Sequence, residues 1–218
     1  MVSGMAEHAH TFLFIDLVGF TALAELEGDG RALEVVLELQ GRVRGLLGDY
    51  GAEEVKAIGD GLMLHSTNAS AAIRLAARLV DEPGTQPGFP LVRVGVHTGP
   101  ALPSEGDWYG RTVNVAARLC SVAPGGEVLV SAAARERAGR VAELVYGERE
   151  LHWLRNLSEP IAAYLVTPRR GSDQAAAGAS AAVSTPARDE PMVMSEPPAL
   201  RIPLRGWEHR AAIQGASA

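Results

Sequence analysis

The chain reads as an α+β protein with a ferredoxin-like βαββαβ core, a sheet carrying helices on one face. Three observations predict this. Between residue 11 and about residue 167, short runs rich in β-branched and aromatic residues alternate with Ala/Leu/Arg-rich runs of helical period. A hairpin signal, Gly59-Asp60-Gly61, stands between the two strand-helix-strand units so formed. The total of 218 residues, 47% of them hydrophobic, suits one substantial domain of roughly 100 to 200 residues rather than two.

The elements follow in order. HTFLFIDLV predicts a strand, and RALEVVLELQGRVRGLLGDYG an amphipathic helix closed by Gly51. EEVKAIGDGLMLHS predicts two strands turning at Gly59-Asp60-Gly61, where the Asp-Gly pair favours a tight hairpin. A helix from about Asn68 to Asp81, with Asn68 as its N-cap, precedes the loop EPGTQPGFP. LVRVGVHTG predicts a strand, GRTVNVAARLCSVA a helix, GEVLVS a strand, and SAAARERAG a short helix closed by Gly139. Strands around VAELVYG and IAAYLVT complete the domain, expected over residues 11–167. Residues 1–10 are expected to be a flexible leader, with His8 and His10 inert on a frayed terminus. Residues 168–218, rich in Ala, Ser and Pro and without periodicity, are expected to be a disordered tail. A docking motif for a regulatory partner, around Met192, Val193 and Met194 or LRIPLRGW, is the alternative reading of that tail.

A net charge of −6 argues against a surface for bulk nucleic acid. The lone cysteine, Cys120, excludes an internal disulfide and a Cys-based zinc cluster, and its setting in VAARLCSV suits a helix core. No charged segment followed by an apolar stretch opens the chain, and no run of 18 apolar residues occurs in it. The expectation is a cytoplasmic protein with no membrane partner.

The chemistry begins at FLFIDLVGFTAL, where Asp16 interrupts an apolar run. An isolated carboxylate entering a core costs several kcal/mol unless something compensates it. Two readings are open: a cap for the helix beginning in FTALAEL, or a metal ligand at a strand end beside a helix N-terminus that offers N–H groups to an anion. Asp60 is by itself an ordinary turn-former. A hairpin following the first crossover helix would lie beside the first strand, however, and bring Asp60 near Asp16. Two carboxylates converging with no cationic cluster nearby repel unless a divalent cation sits between them. In DWYGRTVNVAARL, Asn114 and Arg118 are four apart and share a face of a helix whose remainder is apolar; an interhelical hydrogen bond with an exposed arginine is the alternative.

FIDLVGFT, KAIGDG, VRVGVHTG and DWYGRTVNVAARL, in this order and spacing, resemble the class III nucleotidyl cyclase catalytic domain. The likeness runs from about Thr11 to Val166 and includes LRNLSEPIAAYLV, similar to the family's final strands. The resemblance implies that Asp16 and Asp60 bind two divalent cations per site, Mg2+ or Mn2+. It implies that Lys56 and Asp107 select the purine, an ammonium donating to adenine N1 and a carboxylate accepting from the exocyclic amine, so that the substrate is ATP. Asn114 would orient the ribose and Arg118 stabilise charge on the α-phosphate. Backbone groups of Val18, Gly19, Phe20 and Thr21 would hold the β- and γ-phosphates, with Arg155 a further basic contact to the triphosphate. The product implied is 3′,5′-cyclic AMP with pyrophosphate, made at two sites of a homodimer in which Asp16 and Asp60 of one chain meet Lys56, Asp107, Asn114 and Arg118 of the other. The rivals are a catalytically silent nucleotide-binding or dimerisation module of the same fold, and an interaction protein acting through its tail.

Overall fold

A computed structural model describes residues 9–84 and 88–169. The expected leader, apart from its last two residues, and nearly all of the expected tail, with the Met192–Met194 motif, lie outside the described residues. The element order is β1 (His10–Leu17), α1 (Phe20–Tyr50), β2 (Ala52–Ile58), β3 (Gly61–Ser66), α2 (Ala69–Gly84), β4 (Val92–Gly99), β5 (Leu102–Ser104), β6 (Asp107–Tyr109), α3 (Arg111–Val122), β7 (Val128–Ser131), α4 (Ala132–Ala138), β8 (Leu144–Tyr146), β9 (Glu150–His152) and β10 (Ile161–Pro168). The main sheet runs β2-β3-β1-β4-β7-β10-β8, with β9 also on β10; β5 and β6 form a separate ribbon. Its first four strands pair antiparallel in the βαββαβ order, and β7 adds parallel to β4.

Local chemistry accounts for the boundaries. Asn68 Oδ1 accepts from the Ala71 N–H at 3.0 Å, capping α2 as the sequence predicts. The Ser131 hydroxyl caps α4 by accepting from the Ala134 N–H at 3.1 Å. Gly51 closes α1 in the left-handed region, its N–H donating to carbonyls of the last turn. Within α1, Gly28 leaves helical geometry at φ 84°, ψ 163°, so LEGDG breaks the long helix into two segments. The three-residue strands β5, β6 and β9 escape sequence reading because each is too short to show alternation.

The helices occupy both faces of the sheet, which corrects the expectation of one. Leu13, Ile15, Leu17, Val92, Val94, Val96, Val128 and Val130 pack with α1, α2 and α4 in the larger core. The alternate positions face the other way: Phe12 and Met63 pack with Ala116, and Leu129 and Ala163 with Val115 and Leu119 of α3. A run such as TFLFIDL, apolar at odd and even positions alike, needs cover on both faces, and α3 supplies it. Gly95 and Gly99 let that helix approach β4. A Cβ at Gly95 would stand 2.1 Å from the Cys120 nitrogen and 2.5 Å from the Ala116 carbonyl oxygen. Among the described residues no helix is long and apolar enough to cross a membrane.

Candidate active site

Asp16 is the penultimate residue of β1, and β3 runs antiparallel beside it with Ile15 opposite Leu62. The two-residue turn Gly59-Asp60 therefore lies next to Asp16, as the sequence predicts. Two glycines make this geometry: Gly59 takes φ 58°, and a Cβ at Gly61 would meet the Ile15 carbonyl oxygen at 2.4 Å. The Asp60 carboxyl is raised above its ordinary range, first by burial and then by the charge of Asp16, with its own backbone N–H, that of Leu17 and the charge of Arg93 acting in the opposite direction.

One charge was not foreseen. Arg93 of β4 stands directly across from Asp16, and its Nε and Nη2 donate to Asp16 Oδ2 at 2.8 and 2.5 Å. Its Nη1 donates to the Ser121 carbonyl at 3.1 Å, tying the C-terminal turn of α3 to the same point. The expectation of two carboxylates with no cation nearby is thus corrected: a guanidinium engages one oxygen of the pair. Alternation in VRVGV was the available signal. It places Arg93 on the α3-facing side with Gly95, and a cation there raises the question that Asp16 raised in β1.

Lys56 and Asp107 are 51 positions apart, and the fold joins them: Lys56 Nζ donates to Asp107 Oδ2 at 2.5 Å. Lys56 faces Met63 in the register of β2 on β3, beyond an irregularity between Glu54 and Lys56 that re-aims the edge strand. The ammonium, followed by the Trp108 N–H on Oδ1 at 2.8 Å, holds the Asp107 carboxyl below the usual carboxylate range. Behind this pair His65 stacks on Trp108, ring centres 4.4 Å apart and planes 26° from parallel. His65 Nδ1 is 2.7 Å from Glu53 Oε1, and the His65 Nε2 to His10 Nδ1 distance is 2.9 Å. His10 therefore belongs to β1 and to this stack, correcting its expected place on a frayed end; β1 pairing with Gly99 already orders it. His8 lies outside the described residues.

Asn114 and Arg118 occur on the exposed face of α3, one turn apart, while Val115, Ala116, Leu119 and Cys120 are buried beneath them. Cys120 is the core residue expected, its thiol pushed up to about 12 chiefly by burial. No hydrogen bond or ion pair among the described residues links Asn114 or Arg118 to Asp16 or Asp60. A pocket of about 260 Å3 beside Asp16 is lined by Gly61, Ala117, Cys120 and Ser121, among others. At the start of α1, Gly19 is left-handed at φ 76°, and the N–H groups of Gly19, Phe20 and Thr21 precede the helical ladder with no intrahelical acceptor. Val18 differs: its N–H donates to the Leu91 carbonyl at 2.8 Å, so it offers no donor to a phosphate. Arg155 is exposed between β9 and β10, where neighbouring Leu154 and Leu157 pack onto the α3-side core.

Among the described residues no group of three or more His, Cys, Asp or Glu could hold a metal ion, and Asp16 and Asp60 stand together as a pair of carboxylates. All-oxygen donors suit a hard divalent cation, and a carboxyl whose charged form is disfavoured first by burial and then by an adjacent carboxylate is of a kind that such a cation would compensate.

A mixed sheet with one carboxylate at the end of its first strand, a second in the neighbouring hairpin turn, and a helix carrying two polar residues over the same face defines a class III nucleotide cyclase domain. The chain belongs to the adenylate and guanylate cyclase catalytic domain family, whose model matches residues 5–150. It is 40% identical over 136 residues to a pH-sensitive adenylate cyclase of Mycobacterium tuberculosis, covering 61% of this chain and 33% of that protein. It is 33% identical over 137 residues to an adenylate cyclase of Streptomyces griseus, covering 63% of this chain and 34% of that protein. Its fold matches an adenylate cyclase from Trypanosoma brucei, solved in the monomeric state, with a TM-score of 0.65 at 27% identity, over 73% of this chain and 88% of that one. The chain spans about a third of the length of the curated relatives it matches.

Proposed function

We propose that the chain is an adenylate cyclase, converting ATP to 3′,5′-cyclic AMP and pyrophosphate at sites shared across a homodimer. The observation that carries this reading is the Lys56–Asp107 pair, preassembled on the sheet face that also bears Asp16 and Arg93. An ammonium beside a carboxylate matches the acceptor N1 and donor amine of adenine, whereas guanine presents a donor N1–H and an acceptor O6 that leave both groups mismatched. Bound by Asp16 and Asp60, Mg2+ or Mn2+ would supply Lewis acidity to the ribose 3′-hydroxyl and the α-phosphate. The N–H groups of Gly19, Phe20 and Thr21 hold phosphate oxygens, with Arg155 a further candidate contact. Asn114 orients the ribose, and Arg118 meets the charge that develops on the α-phosphate.

The absence, among the described residues, of any hydrogen bond or ion pair from Asn114 or Arg118 to the carboxylate pair supports completion by a second chain. So do large apolar side chains exposed near the α3 face: Ile58, Leu102, Tyr109 and Trp153, the last 73% exposed. The experiment is incubation of purified protein with ATP or GTP and each metal, followed by assay of cyclic product; no product under any condition would favour a silent module. Mixing Asp16→Ala with Arg118→Ala chains extends the test. Random exchange makes half the dimers mixed, and each mixed dimer has one intact site, so about one quarter of wild-type activity should return. Mixed dimers as inactive as their parents would place the site within one chain.

The stack behind Asp107 has its own expected result. Trp108→Leu removes the plane against which His65 holds the β5–β6 ribbon, so the KM for ATP should rise about tenfold, with a smaller change in kcat. An unchanged KM in steady-state assays would show that the ribbon places Asp107 without the stack.

A further inference from the structure

At the β8–β10 end of the sheet, remote from Lys56 on β2, elements α4, β8 and β10 border a cleft of about 850 Å3. Four guanidinium groups line it, from Arg135, Arg140, Arg149 and Arg169, against the single carboxylate of Glu136. This concentration of positive charge occurs in a chain of net charge −6. None of the four has a carboxylate partner among the described residues, whereas Arg31, Arg42, Arg44, Arg78 and Arg93 each have one. Two of the four are already fixed by contacts that leave charge available. The Arg135 guanidinium lies 4.2 Å from the ring centre of Tyr164 and 4.8 Å from that of Tyr146, the two rings meeting edge to face. Arg169 donates Nε to the Ala142 carbonyl at 3.0 Å, which leaves its terminal nitrogens uncommitted. The Tyr146 hydroxyl oxygen is enclosed and has no hydrogen-bond partner among the described residues. Grouped like charges without counterions are unfavourable, and a buried hydroxyl without a partner adds to that cost.

We propose that this cleft binds a small organic anion carrying two or more phosphoryl groups, at a site separate from the cyclase centre. Planar guanidinium forks match phosphate oxygens bidentately, and an anion with two or more phosphoryl groups carries enough charge and acceptors for several of the four. A polyphosphoryl anion spans them, and its oxygens accept from the Arg169 terminal nitrogens.

The test is calorimetric titration of the full chain with inorganic pyrophosphate, at low ionic strength with a metal chelator present, so that no turnover is involved. One pyrophosphate per chain should bind, and the double variant Arg140→Ala/Arg149→Ala should weaken it by about tenfold or more, since two charge-assisted contacts are lost. Both residues are exposed, so the fold should survive; Arg135→Lys, which keeps charge but loses the fork, provides a second variant. Arg137→Ala, on α4 but outside the cleft, should leave the affinity unchanged. Absence of binding to the wild-type chain, or equal affinity in the double variant, would each overturn the proposal. Because no cyclase activity is read, failure here and failure of the adenylate cyclase reading are distinguishable.

Discussion

Replacing either carboxylate, Asp16→Ala or Asp60→Ala, should lower turnover on the order of 10³-fold or more, since the metal-dependent stabilisation lost amounts to several kcal/mol. The two variants should differ in stability, because the carboxylates have different neighbours. Asp16 accepts from Arg93, and both side chains are 29% exposed, so Asp16→Ala strands a half-buried guanidinium and should cost about 1 kcal/mol. Asp60 is a group whose charged form the fold disfavours, by burial first. Its folded-state pKa lies above the unfolded one, so between the two the folded chain binds more protons, and stability falls as pH rises through that interval. Asp60→Asn removes the titrating group and with it that loss. In chelator at neutral pH this variant should melt at or above the wild-type temperature, while its turnover is lost. Thermal unfolding and cyclic-product assay on the same preparations check both halves. Near-normal activity of either variant under saturating Mg2+ or Mn2+ would remove the metal-ligand role.

Much of this site was legible because its logic is local. An Asp in an apolar run, a turn carrying a second Asp, and two polar residues one helical turn apart each announce themselves within a few positions. The Lys56–Asp107 pair was legible only through family resemblance, since nothing in KAIGDG or DWYG specifies that two edges 51 positions apart will meet. Arg93 escaped because its meaning depends on register: it matters only once β4 pairs with β1 such that Arg93 opposes Asp16. His10 was misread for a related reason, its order coming from Gly99 across the sheet rather than from neighbours in sequence. The fold class was legible, but the place of α3 on the second face was not, because strand-helix alternation carries no parity. Phe12 and Leu13 are both fully buried, and adjacent strand residues can both be buried only between two layers.

That second layer rests on Gly95, and Gly95→Ala should be the most damaging single methyl added to this chain. Its Cβ would sit 2.1 Å from one backbone atom of α3 and 2.5 Å from another, and backbone cannot rotate aside as a side chain can. The helix must move by about an ångström, loosening Val115 and Leu119, both fully buried, at a cost of about 3 kcal/mol or more. Displacement of α3 also carries Asn114 and Arg118 with it, so activity should fall in whatever fraction stays folded. Gly99→Ala meets only the Thr112 side chain, whose Oγ1 would be 2.7 Å away. Turning that hydroxyl breaks its bond to the Pro100 carbonyl and should cost about 1 kcal/mol. Gly45→Ala, on the exposed side of α1 with open space around it, should instead stabilise by about 1 kcal/mol through helix propensity. Denaturant unfolding of the three variants therefore predicts two signs and a rank order from one chemical change. A Gly95→Ala chain as stable as wild type would mean that α3 does not lie on β4 as closely as the two backbone distances require.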